Sequence, residues 1–337
     1  MGQLMAANLA KEGFAVHSFD LNGLGNCASA RAAAEGAEVL ITMLPDGEAV
    51  REAVLEAMPA LRPGSVVIDM SSSDPAATRA LGLALAQNRI DLVDAPVSGA
   101  MAKARDATLA IMAGGAVEVV EKVTPILKTM GKQIFHVGPL GAGHAVKALN
   151  NYLGAAGTLA GFEALLVARA FGLDPAPMLE AINASTGRNS TTERKIPQQV
   201  LTGAFASGFK LALMAKDVGI AAGLARDLGV RAPYLSETLR LWRAALKRLP
   251  AGADHTEIFH FLEKPSPPSR GAASRPSRSR RKPRRSSAAA GRRPRGAAAS
   301  SRARGRAAGS LARANPAPAS ACRPRCSRLP RRATLQA

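Results

Sequence analysis

Residues 1–138 alternate short β-branched runs with alanine-rich stretches whose apolar positions recur at helical spacing. The runs predict strands over 15–20, 39–44, 66–69, 91–94, 108–113 and 133–137. Helical patterns fall between most of them, clearest over 47–60 and 75–88, with another over 1–13. Strand and helix in turn read as parallel βαβ units, an α/β Rossmann-like domain. From residue 143 the pattern is helical only: a long helix through 171, then 175–185, 196–202, 212–228 and 233–249. Asp174-Pro175 marks one helix start, with aspartate as cap and proline in the first turn. The chain thus divides into a sheet domain over 1–138 and an all-α domain over 139–264, joined by the long helix.

Beyond residue 264 the pattern ends. Residues 265–337 contain no Val, Ile, Phe, Tyr, Trp or Met and consist almost wholly of Arg, Ala, Ser, Pro and Gly. Such a segment cannot bury enough apolar surface to offset its ordering entropy, so a disordered tail is expected. The tail also accounts for the charge. The chain carries a formal +20, yet 1–264 holds 25 acidic and 25 basic residues, and 265–337 holds 20 basic residues and no acid. An arginine-rich tail can bind nucleic acid through counterion release. Without aromatics to stack on bases, the plainer reading is a GC-rich gene read out of frame. Nucleic acid is therefore a partner only through the tail.

Cys27 stands alone before residue 265, and Cys322 and Cys326 sit in the tail, as expected of a reducing cytoplasm. No uninterrupted apolar run reaches the roughly 18 residues that span a bilayer, and the N-terminus lacks a signal-peptide layout. A cytoplasmic protein without a membrane partner or a metal site is the expectation.

The candidate chemistry lies at strand ends and on the long helix. Gly2 opens the first helix and fits the last glycine of a G-x-G-x-x-G turn; the preceding strand and the first two glycines are absent from the sequence. Asp20 ends the next strand, where an acid would hydrogen-bond an adenosine ribose and repel a 2′-phosphate, favouring NAD with NADP as the alternative. Loops 42–47 and 69–75 follow later strands, Asp46 being a candidate helix cap. Ser98, Gly99 and Ala100 offer a hydroxyl and backbone amides that could hold a carboxylate. Lys147 and Asn151 stand four residues apart on one helix face. A lysine between two domains can move a proton if its surroundings lower its pKa. His144, three residues earlier, is a rival base, though helix-start histidines more often cap or face solvent. Arg188 reads as part of a helix-terminal loop, and Asp217 as a solvated or structural partner of Lys216.

In order, residues 94–100 (DAPVSGA), 141–151 (GAGHAVKALNN), 213–220 (LMAKDVGI) and 254–263 (DHTEIFHFLE) resemble the β-hydroxyacid dehydrogenase family, over roughly residues 1–263. The resemblance implies an NAD(P)-dependent oxidoreductase acting on a short β-hydroxyacid or its semialdehyde, such as 3-hydroxyisobutyrate or tartronate semialdehyde. It implies Lys147 as the catalytic lysine with Asn151 as its partner. Ser98 and Gly99 become the carboxylate-binding segment, with Ala100 where the family commonly has Gly. Leu44 and Pro45 become a cofactor contact, and Ser72 stands where Thr is usual, keeping the hydroxyl. Lys216 becomes the lysine that closes over the nicotinamide. The tail has no family counterpart. Without its first strand the sheet would leave two neighbours with unpaired edges, so the true start codon is expected upstream. A homo-oligomer through the helical domain is expected from apolar helices such as 212–225. The rival readings are a non-catalytic interaction module carrying a nucleic-acid-binding tail, and a gene-model fragment.

Overall fold

The computed structural model describes residues 1–263 and 332–336. The strands are Ala15–Phe19 (β1), Val39–Thr42 (β2), Val66–Asp69 (β3), Asp91–Asp94 (β4), Val97–Ser98 (β5), Leu109–Gly114 (β6), Gly131–Gly138 (β7) and Arg332–Gln336 (β8). Around them lie helices Gly2–Lys11 (α1), Ala30–Ala34 (α2), Gly47–Ala57 (α3), Pro75–Ala86 (α4), Ala100–Arg105 (α5) and Val117–Lys128 (α6). One sheet runs β1-β8-β2-β3-β4-β6-β5, with β7 beside β6. Side chains alternate across it. Val39, Ile41, Val66 and Ile68 pack with Met5 and Leu9 on one face, and Leu40 and Val67 with Ala34, Val54 and Leu85 on the other. Both faces are covered, so β2 and β3 read as unbroken apolar runs rather than alternating ones.

Two expectations need correction. The sheet is not parallel throughout, because β6 runs antiparallel to β4, meeting it at Asp94↔Gly114, and β5 pairs antiparallel with β6. The six-residue α5 spans only about 9 Å. It cannot return the chain along the six residues of β6, about 20 Å long. The second correction concerns the tail. Arg332–Gln336 is a strand, in parallel register with β1 from Ala15↔Arg332 to Phe19↔Gln336 and with β2 from Val39↔Ala333 to Thr42↔Gln336. It fills the gap expected to leave two open edges. Facing rows of backbone donors and acceptors require a partner, and this stretch, free of Gly and Pro, supplies one. The disorder and nucleic-acid binding expected of the rest of the tail fall on residues outside those described.

The helical half is organised by Ala142–Phe171 (α7), followed by Pro175–Asn183 (α8), a π-helical segment Thr191–Val200, Leu211–Asp227 (α9), Pro233–Leu246 (α10) and Ile258–Glu263 (α11). Phe162, Leu159 and Leu165 of α7 pack against Leu179, Ile196, Val218, Trp242 and Phe259. Among the described residues α7 is the one helix long and apolar enough to cross a membrane, a property the run count missed. Nearly half of that stretch is buried within the protein, which explains its apolarity as that of a core helix.

Candidate active site

The carboxyl ends of β2, β3 and β4 carry a buried polar network. Asp69 accepts hydrogen bonds from Thr42 Oγ1 (2.9 Å), the Ser71 amide (2.9 Å) and Ser73 Oγ (2.8 Å). Ser71 Oγ in turn accepts from the Leu44 amide (2.9 Å), joining the 42–47 and 69–75 loops. The Ser72 hydroxyl takes no part and has no partner among the described residues. From α9, Lys216 Nζ donates to the carbonyls of Pro45 and Ser72, both at 2.8 Å. Leu44, Pro45, Ser72 and Lys216, separate in sequence, therefore form one corner.

The start of α7 is fixed to the sheet by Asp94. Its carboxylate accepts from the amides of Gly141 and His144, both at 2.7 Å, taking up free first-turn donors of the helix. Burial pushes the Asp94 carboxyl pKa up, against the opposing pull of His144 and those amides. Gly143 is required by contact: a Cβ there would lie 2.2 Å from the Met112 carbonyl oxygen. His144 is not at the surface as expected. It is 1% exposed, with Nδ1 2.8 Å from Thr78 Oγ1 and Nε2 3.5 Å from Asp69. The aspartates at both sides of this turn draw the ring inward.

One turn on, Lys147 is half-buried. Burial pushes its pKa below the usual lysine value; Lys216 acts in the same direction and Asp217 opposes it. Asn151, on the same face, donates to Asp217 Oδ2. The other carboxylate oxygen of Asp217 lies 3.4 Å from Lys216 Nζ. Asp217 is 2% exposed, so it is a buried hinge of the site rather than a solvated neighbour. Its adjacency to Lys216 was the available signal; the reach to Asn151, 66 residues away in sequence, has no local signature.

Ser98 closes β5, paired with Ala110 of β6, the strand against which α7 packs. Gly99 follows at φ 143°, where a Cβ would press within 2.6 Å of Lys103. Ala100 begins α5 at φ 55°, in the left-handed region. Arg188 pairs with Glu193 at the surface. Gly2 is buried at the start of α1, whose first turn has no side-chain cap. Asp20 uses one oxygen to accept from the Asn22 amide (2.7 Å), leaving the other without a partner among the described residues. A cavity of about 240 Å³ opens there, lined by Asp20, Gln3, Ala6, Ser18, Phe19 and Leu24 among others.

Family models match both halves: residues 1–138 match the NAD-binding domain of 6-phosphogluconate dehydrogenase, and 141–262 the NAD-binding domain of NADP-dependent 3-hydroxyisobutyrate dehydrogenase. A 2-(hydroxymethyl)glutarate dehydrogenase of Eubacterium barkeri is 37% identical over 255 residues, 72% of this chain and 85% of that protein. The NAD-dependent L-serine dehydrogenase of Pseudomonas aeruginosa is 35% identical, covering 78% of this chain and 95% of that one. The chain belongs to the β-hydroxyacid dehydrogenase family. The 3-hydroxyisobutyrate dehydrogenase of Mycobacterium tuberculosis, solved with L-serine, superposes at TM-score 0.72 with 32% identity, covering 78% of this chain and 96% of that one.

This dehydrogenase is an NAD(P)-dependent oxidoreductase, and its residues fit the coenzyme. The uncapped first turn of α1 leaves backbone amides that could hold an anion, and the Asp20 cavity lies where a ribose would bind in such a fold. The unpartnered Ser72 hydroxyl stands with Pro45 and Lys216 at the strand ends, where open α/β sheets bind ligands.

Proposed function

We propose that the enzyme oxidises a short β-hydroxyacid of the 3-hydroxyisobutyrate kind, or reduces its semialdehyde, with Lys147 as general base and acid. The observation that carries this reading is the linkage Asn151–Asp217–Lys216, one helical turn from Lys147, which joins α7 and α9 to the cofactor-side carbonyls of Pro45 and Ser72. A bound nicotinamide would supply the hydride acceptor for the carbinol carbon. Lys147 accepts the hydroxyl proton as the carbonyl forms, and returns it in the reverse direction. Burial and the Lys216 cation keep its amine within reach of the free form. Asn151, oriented by Asp217, holds the hydroxyl oxygen toward that amine. Ser98, with the Gly99 and Ala100 amides, holds the carboxylate. The test is appearance of reduced nicotinamide on adding 3-hydroxyisobutyrate, L-serine or 2-(hydroxymethyl)glutarate to the full chain with NAD. No hydroxyacid-dependent signal with any of them sinks the reading.

The coenzyme preferred is NAD, because the free Asp20 oxygen repels a 2′-phosphate. Asp20→Ala is expected to lower the kcat/KM ratio for NAD over NADP by about 10-fold, the size of one lost charged hydrogen bond. An unchanged ratio makes Asp20 a turn residue only.

The working form is a cytoplasmic homo-oligomer built through the helical half. The apolar face expected on α9 is turned into the core. The exposed one belongs to α7, where Leu149 and Val167, and Leu153 and Phe171, repeat at five helical turns. Two copies laid along this face would cover Leu153 (69% exposed), Val167 (70%) and Phe171 (82%). Sedimentation should show a dimer or larger for the native chain and monomer for Leu153→Glu combined with Val167→Glu. A native monomer refutes the interface.

A further inference from the structure

Lys195 is a half-buried cation that the proton-transfer chemistry leaves unused. It projects from the π-helical segment Thr191–Val200 onto α7, and its Nζ donates to Thr158 Oγ1 (2.6 Å) and, at the limit of reach, to the Gly154 carbonyl (3.5 Å). No carboxylate lies within ion-pair distance of it among the described residues. Ammonium groups have three donors, so one proton has no acceptor among the described residues. Burial, with Arg194 adding to the effect and Asp254 opposing it, lowers its pKa to about 8, so it remains charged at neutral pH. Withdrawing a charge even partly from water without an ion-pair partner has a cost. Segments of π-helix, rare in themselves, concentrate at functional sites.

Its position on α7 gives the charge a role. Lys147, Asn151, Gly154 and Thr158 fall at i, i+4, i+7 and i+11, one stripe of the helix. Lys195 therefore sits farther along the face that carries the proposed base. At Gly154 a Cβ would meet nothing within 4 Å, so the stripe is open between the two lysines. Seven residues of helix separate Lys147 from Gly154, about 10 Å along the axis.

We propose that Lys195, with Thr158 and the open floor at Gly154, is a second anion subsite, and that the substrate is a β-hydroxyacid bearing a second, distal anionic group. The inference rests on Lys147 as the proton carrier and refines the substrate class of that site. The distal anion meets the free Lys195 proton. The first carboxylate stays with Ser98 and Gly99.

The test compares kcat/KM for a dianion, 2-(hydroxymethyl)glutarate, with that for a monoanion, 3-hydroxyisobutyrate. The native enzyme should prefer the dianion by about 10- to 100-fold, the range of a charged hydrogen bond. Lys195→Met should remove most of that preference while leaving the monoanion within about 3-fold of native. Gly154→Asp, which places a carboxylate in the open space and needs no repacking, should do the same. A native enzyme that turns over the monoanion as well as or better than the dianion overturns the proposal and leaves the Lys147 reading standing. Equal losses on both substrates in both variants also overturn it, making Lys195 a brace for α7. Turnover of neither substrate by the native enzyme removes the Lys147 reading, and this one with it.

Discussion

Lys147→Ala is expected to reduce kcat/KM by about 10²- to 10⁴-fold, the range contributed by a positioned proton-transfer group. Coenzyme affinity should stay near native, since Lys216, Pro45, Ser72 and Asp20 belong to other elements. The pH profile separates proton transfer from simple positioning. Oxidation needs the free amine, so its rate should rise with pH through a value below the ordinary lysine 10.5. Reduction needs the ammonium and should fall through the same region. The neighbours move that midpoint in opposite directions. Lys216→Met removes a cation that pushes the Lys147 pKa down, so the midpoint should move up; Asp217→Asn removes an anion that holds it up, so it should move down. Native-like activity in Lys147→Ala, or midpoints that ignore both neighbours, would take the proton-transfer role away from this residue.

Much of this site was legible because its elements are local. The change from strand–helix alternation to helix alone near residue 143 locates α7, and the four-residue spacing places Lys147 and Asn151 on one face. Asp46 and Asp174 cap the helices they precede, as short-range rules expect. What escaped is long-range. Asp94 reads in sequence as part of a loop motif, but its use as the cap of a helix 47 residues later depends on tertiary packing. His144 looked like a surface cap and is a buried partner of Asp69, Asp94 and Thr78, because two strand ends and the first turn of α4 converge on it. Asp217 joins Asn151 across two helices, and Lys195 reaches α7 from a segment expected to start later and to be ordinary helix. In each case a polar side chain satisfies a group far away in sequence. No periodicity encodes that.

The tail strand is the sharpest instance, and removing it should have the second large effect. β8 supplies both facing ladders between β1 and β2, with five and four register pairs. A chain ending at Arg331 loses both at once and exposes two strand edges inside the sheet. The expected loss is about 3–5 kcal/mol, at the top of the range for small changes. At about 2–4 °C per kcal/mol, Tm should fall by about 10 °C. Thr334→Pro tests the same pairing without shortening the chain, since proline removes a donor and is poorly tolerated within a sheet. Amide exchange should locate the damage, with protection lost over Ala15–Phe19 and Val39–Thr42 and kept in α7 and α9. The functional consequence is asymmetric. Asp20 follows directly on β1, so NAD affinity should drop, whereas Lys147 and the Asn151–Asp217 bond lie in the helical half and should persist. Unchanged Tm and unchanged exchange in both altered chains would mean that β1 and β2 are stabilised by something other than Arg332–Gln336.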